Sequence, residues 1–295
     1  MILVANSGGL RIGVDARSLS GRLTGVGRYV LEILQCMPEF LPDAQWILYS
    51  RGPIDVELPS GDWRVVVDQH PLFRRLPGSM WVKTRLGYLM SRDKLDVVWA
   101  ARTLAPNIRV PLVTTVFDLN HRLVPETMEA ANRIAYSWWH DSDVLRADQV
   151  ISISNGTAMR LHEAIGRTSD GIASPGARWA NMRSDEESVL IDRPYVLSVA
   201  TREPRKNLNN LVQAFSNLKD QGYLEKHLLV LVGSMGWGNE LSALKDGTPD
   251  WLRELGYVPD EKMASILANA DLLAQPSIYE GFGMPVLEAM ACGAP

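Results

Sequence analysis

Short apolar runs of strand length alternate with segments of helical period along almost the whole of this chain, and no other feature constrains its fold as much. RIGVDAR (11–17) reads as a strand. TGVGRYVLEILQCM follows, with Val26, Tyr29, Val30, Ile33, Leu34 and Met37 at helical spacing. WILYS, WRVVVD, LDVVWA and VPLVTTVFD are short β-branched runs bounded by polar residues, Pro or Gly. ADQVISISN is another, after which Asn155 is expected to cap the helix GTAMRLHEAIG. Such alternation builds βαβ units on a parallel sheet, so the fold class is α/β.

The rhythm breaks once, over 176–192, a polar stretch carrying charge of both signs. At 295 residues the chain is long for one core. We therefore expect two α/β domains, 1–175 and 193–295, with 176–192 as the linker. The second half restarts with the strand YVLSVA and the turn TREPRKN. Asn207 is expected to cap a helix that turns Leu208, Leu211, Val212, Phe215 and Leu218 inward. HLLVLVG is the next strand. GYVPDEKMASILANADLLAQPS reads as a short strand, a helix capped by Asp260 and another strand. In EAMACGAP, Gly293 suits a left-handed helix end. A strand would normally follow at once, so the second domain is read as incomplete and the sequence as a fragment.

Composition removes several function classes. The formal net charge of −4 argues against nucleic acid as a partner. Cys36 and Cys292 lie far apart, outside any metal-ligand or disulfide spacing. The N-terminus lacks a basic start followed by a long apolar run, and no stretch approaches the roughly 20 apolar residues of a membrane span. The chain reads as cytoplasmic. FRRLPGSMWVKTRLGYLMSRDK (73–94) holds six basic residues and one acidic among apolar ones. It suits either a peripheral membrane contact at the inner face or an ordinary amphipathic helix on the first sheet, and the second reading is preferred. The pair Trp138–Trp139 is expected in the core.

The chemistry concentrates in SIYEGFGMPVLEAM (277–290). Pro285 suits the first turn of a helix, and Gly281 and Gly283 let backbone approach a ligand. A glycine loop feeding a helix N-terminus attracts phosphate. Glu280 and Glu288 would accept hydrogen bonds from hydroxyls on either side of it. A central diphosphate with sugar hydroxyls at both ends, a nucleotide sugar, fits that pattern.

E-G-F-G-M-P-V-L-E resembles the Glu-x7-Glu signature of retaining glycosyltransferases of family 4, whose GT-B fold implies two Rossmann-like domains facing a cleft, the second incomplete here. DARSLSGRLTGVGRYVLEIL, VLSVATREPRKNLNNLVQAF, LVLVGSMGW and the segment from GYVPDEK onward resemble that family in the same order. The resemblance implies that Glu280 contacts the transferred sugar and Glu288 the ribose. It implies that Arg205 and Lys206 bind the diphosphate and stabilise the leaving group. Gly281, Phe282 and Gly283 would form the donor-binding turn, and Gly25 and Gly27 would let the first domain's loop approach the donor. Where the family has a His-Asp pair this chain has Phe117-Asp118; Asp118 keeps the carboxylate. His121, three residues on, reads as a surface residue.

The resemblance implies a hexosyltransferase that moves sugar from a nucleotide-diphosphate donor to a glycan or lipid-linked acceptor. Configuration would be retained, with no metal and no cofactor beyond the donor substrate. The likeness extends to bacterial mannosyl- and related transferases of polysaccharide assembly. Alternatives are another GT-B enzyme such as a sugar-nucleotide epimerase, or a catalytically silent truncated remnant. A nicotinamide-dependent oxidoreductase is disfavoured, because no G-x-G-x-x-G with its downstream acid follows a strand.

Overall fold

A computed structural model describes residues 9–177, 191–237 and 247–295. Of the linker expected over 176–192, residues 178–190 lie outside them. The chain divides into two compact units: Met1–Leu119 with Ala130–Ser174, and Asn120–Glu129 with Pro175–Pro295.

The first unit is built on a seven-stranded parallel sheet. Its strands are β1 (Arg11–Asp15), β2 (Gln45–Ser50), β3 (Asp62–Val67), β4 (Val97–Ala100), β5 (Leu112–Val116), β6 (Gln149–Ser152) and β7 (Gly171–Ile172), in the order β3-β2-β1-β4-β5-β6-β7. Helix α1 (Gly25–Phe40) follows β1; Thr24 caps it, its side chain accepting from Gly27 N. The basic segment folds as a 3-10 turn at Phe73–Arg75, α2 (Gly78–Trp81), a π-helical turn at Val82–Leu86 and α3 (Gly87–Ser91). Its apolar residues Trp81, Val82, Leu86, Leu89 and Met90 pack into the core with Ile47, Val98, Leu112 and Val150. The core thus uses the face that a lipid surface would need. Lys83 Nζ is bound to Asp143 at 2.5 Å, and Arg85 to Asp68 at 3.2 Å.

The short helix α4 (Asn120–Leu123) belongs to the second unit, and α5 (Ala130–Arg146) and α6 (Asn155–Ile165) to the first. The cap of α6 is Ser154, not Asn155: the serine side chain accepts from Thr157 N at 3.0 Å. Trp138 is 71% exposed on α5, so the tryptophan pair is not a core element. Trp139 is half-buried under Lys83, whose Nζ stands 5.7 Å from its ring.

The second unit carries β8 (Tyr195–Val199), α7 (Leu208–Asp220), β9 (Leu228–Val232), β10 (Leu252–Gly256), α8 (Asp260–Ala268), β11 (Leu272–Leu273) and α9 (Met284–Ala291). Its sheet runs β10-β9-β8-β11, all parallel. Alternate residues of a strand face opposite sides, and both sides here are covered. Tyr195, Leu197, Leu228 and Val230 pack with Ile266, Leu267 and Ala289 of α8 and α9. Val196, Leu229 and Leu231 pack with Leu208, Val212 and Phe215 of α7. That double burial is why these strands read as unbroken apolar runs. Beside β11, Leu273 N donates to Pro295 O at 2.8 Å.

Four local expectations fail in this unit. Leu218 is 40% exposed rather than inward. Asn207 occupies the cap position of α7, but its side chain makes no cap bond. Pro259, not Asp260, precedes α8, and Asp260 is its first residue. The strand before α8 ends at Gly256, upstream of the Tyr257–Val258 stretch that suggested it.

Candidate active site

β8 ends against two turns, and those turns make the site. The first is the 3-10 turn Pro204–Lys206, closed by Asn207 in the left-handed region at φ 56°. Asparagine tolerates that conformation better than most residues. Its Nδ2 donates to Pro276 O at 3.1 Å, and Ile278 N donates to Arg205 O at 2.9 Å. The second turn, Gln275–Gly283, is thereby laced to the first although about 70 residues separate them in sequence.

Glu280 sits at the junction. Arg205 Nη1 donates to one carboxylate oxygen at 2.8 Å, and Lys206 Nζ to the other at 2.6 Å. Ser277 Oγ donates at 2.7 Å and Gln275 Nε2 at 3.0 Å to that second oxygen. Arg205 also donates to Tyr279 O at 2.8 Å. Burial by itself pushes the Glu280 carboxyl up; the charges of Lys206 and Arg205, with hydrogen bonds from Lys206 and Ser277, outweigh it and hold the group below its ordinary value. Glu280 is therefore an anion with two cations in contact.

Gly283 stands at φ 95°, a conformation glycine adopts without strain, and caps α9. Pro285 lies in the first turn, as expected. Glu288, in the second turn, is only 4% exposed. A helix glutamate is ordinarily solvated, so its burial sets it apart. Its charge, after burial itself, raises the Cys292 thiol. Gly281 and Phe282 are half-buried between Glu280 and the helix. Glu280, Arg205, Lys206 and the Gly281–Gly283 turn are thus brought into one continuous stretch of the second unit. Arg205 and Lys206 are donors of the kind that bind phosphate as well as carboxylate.

The other expected residues lie in the first unit. Gly25 opens α1 and is exposed. Gly27 is buried, and a Cβ there would meet Ser18 O at 2.3 Å, so close backbone packing alone requires this glycine. Asp118 follows β5 and is half-buried. Phe117, in the place of the family's histidine, packs edge-on against Tyr29 with centroids 5.1 Å apart. Tyr29 in turn donates to Ala173 O at 2.9 Å. An aromatic pair replaces what a polar imidazole would have offered. His121, grouped with the second unit, is not a surface residue; it is 7% exposed. Sequence reasoning missed Ser277 and Gln275, whose only signal was their place in the Glu280 loop.

Residues 23–173 match the family model "Glycosyltransferase Family 4", and residues 182–295 match "Glycosyl transferases group 1". "O-antigen chain mannosyltransferase B" of Escherichia coli is 43% identical over 305 residues, covering 92% of this chain and 78% of that protein. "Serotype-specific mannosyltransferase WbdA" of Escherichia coli is 26% identical over 166 residues, half of this chain but only 20% of that protein. The crystal structure of WaaG, "a glycosyltransferase involved in lipopolysaccharide biosynthesis", superposes with a TM-score of 0.71 at 16% identity, over 97% of this chain and 80% of that one. These matches favour a transferase over an epimerase. On the first model, which spans half the sequence, and on the 43% relative, the chain belongs to glycosyltransferase family 4, has the GT-B fold and is a hexosyltransferase.

Proposed function

We propose that the protein transfers a mannosyl group from a nucleotide-diphosphate sugar to a glycan acceptor, with retention of configuration and without a metal. The observation that carries this reading is Glu280 held between Arg205 and Lys206 beside the glycine turn of α9. A donor diphosphate takes over the two cations. As the bond from sugar to diphosphate breaks, charge grows on the departing phosphate oxygens, and Arg205 and Lys206 are placed to stabilise it. Glu280, released from them, accepts hydrogen bonds from the sugar hydroxyls. Glu288 takes the ribose, and the Gly281–Gly283 backbone gives the phosphates close access. Asp118, on the first unit, keeps the carboxylate role that the family resemblance implies. Mannose as the transferred sugar rests on the 43% identical mannosyltransferase of Escherichia coli.

The test incubates full-length protein with a panel of nucleotide-diphosphate sugars and follows nucleotide release. A mannose donor is expected to turn over fastest, and NMR of the product should show the donor's anomeric configuration. Turnover should persist in EDTA. An inverted product, or activity lost to chelation and restored by manganese, would overturn the corresponding part.

A further inference from the structure

The carboxyl ends of β1, β2 and β3 lie side by side in the first sheet, and a cavity of about 500 Å³ opens there. Arg17 and Ser20 follow β1, Arg51 and Gly52 follow β2, and Arg74 and Arg75 follow β3; all six line it, and among the described residues no carboxylate does. The four arginines are not equivalent. Arg17 is neutralised by buried Asp15, with Nε and Nη2 donating at 2.8 and 2.7 Å, and its Nη1 donates to Gly78 O at 2.5 Å. It is part of the wall.

Arg51, Arg74 and Arg75 have no carboxylate partner among the described residues. Arg51 Nη1 donates to Leu76 O, and Arg74 Nε donates to Arg51 O at 3.2 Å. Backbone carbonyls thus hold the Arg51 and Arg74 guanidinium groups in place without neutralising them. Burial, and then the charges of Arg17 and Arg102, press Arg51 toward its neutral form against the pull of Asp15. An anion in the cavity would relieve that. Ligands of open α/β sheets bind beyond the carboxyl ends of the strands. Planar guanidinium forks match phosphate oxygens.

We propose that this recess is an acceptor subsite for a phosphate or diphosphate group, held by Arg51, Arg74 and Arg75. This deepens the transferase reading and rests on it: the recess belongs to the first unit, and the proposed donor site to the second. The volume admits a diphosphate with an attached sugar. It also gives the basic segment 73–94 a use, since Lys83 and Arg85 are occupied by Asp143 and Asp68 while Arg74 and Arg75 are not.

The experiment has two arms on the full-length protein. In the first, kcat/KM is measured for one glycan presented as a soluble sugar diphosphate, as a lipid-linked diphosphate and as a neutral alkyl glycoside. The ratio of phosphorylated to neutral acceptor should fall at least about tenfold in the R74A/R75A variant. Both positions are exposed, so the fold should survive the change. A fall for both phosphorylated acceptors assigns the phosphate itself; a fall for the lipid-linked one alone means that the arginines meet the lipid or its membrane, which would overturn a phosphate subsite. An unchanged ratio for both would overturn the proposal. In the second arm, inorganic pyrophosphate is titrated by calorimetry into K206A, which weakens the donor site, and into K206A/R74A/R75A. Binding that weakens at least about tenfold in the triple variant supports the recess, and equal binding counts against it. Failure of every nucleotide sugar to turn over would sink the transferase reading, while this titration would still decide the recess.

Discussion

Glu280 is the residue on which the proposed chemistry turns, and replacing it with glutamine separates two of its effects. Turnover should fall by about 10²-fold or more, on the scale of a lost group at the reacting centre. Binding of bare pyrophosphate should tighten instead, because Arg205 and Lys206 lose the partner they hold at 2.8 and 2.6 Å. Calorimetry reads the second effect, and weaker binding in E280Q would contradict it. The same group predicts a pH effect. Its carboxyl is lowered in the folded state, so the stability it contributes is complete above the unfolded value of about 4.3 and is lost as pH falls through the lower folded one. Thermal midpoints between about pH 5 and pH 3 should drop more steeply in the native protein than in E280Q. For Glu288→Gln the donor KM should rise while turnover changes little, as ribose contacts exist in ground and transition states alike. Initial-rate kinetics check this; equal losses in both variants would remove the distinction. Lys206→Ala should cost about 2–4 kcal/mol of barrier and also lower the melting temperature, because the largely buried Glu280 carboxylate loses one of its two cations; initial rates and thermal melts read the two effects.

At the scale of elements, Gly27→Ala tests whether α1 is held by packing. The new Cβ would lie 2.3 Å from Ser18 O, so the helix must shift, at a cost of about 1–3 kcal/mol. Chemical denaturation measures this; a neutral outcome would leave close ligand approach as the reason for glycine. Ser154→Ala should cost about 1 kcal/mol, and Asn155→Ala much less. The strands were legible because burial on both faces leaves an apolar run no surface helix would tolerate. The caps were less so. Ser154 and Asn155 are adjacent and equally good cappers in sequence, and only the entry angle of the chain chooses. The donor loop was legible in Glu280, Arg205 and Lys206 because charge beside glycine is conspicuous. Ser277 and Gln275 were not, since their role depends on where Glu280 points. Trp138 misled because an exposed tryptophan has the same sequence appearance as a buried one.

At the scale of the molecule, the second unit is assembled from two separate stretches, Asn120–Glu129 and Pro175–Pro295. Trp237 Nε1 donates to Thr127 O at 3.2 Å within it. This matters for anyone recombining relatives to change which sugar is used. A chimaera joined only near residue 175 would pair an imported second unit with ten resident residues that belong to it. Its melting transition should broaden and its activity suffer, whereas a crossover that also carries 120–129 should restore both, as calorimetric scans of the two hybrids would show. Exchange of sugar preference in this fold is therefore a three-junction problem, with crossovers at 119/120, 129/130 and 174/175.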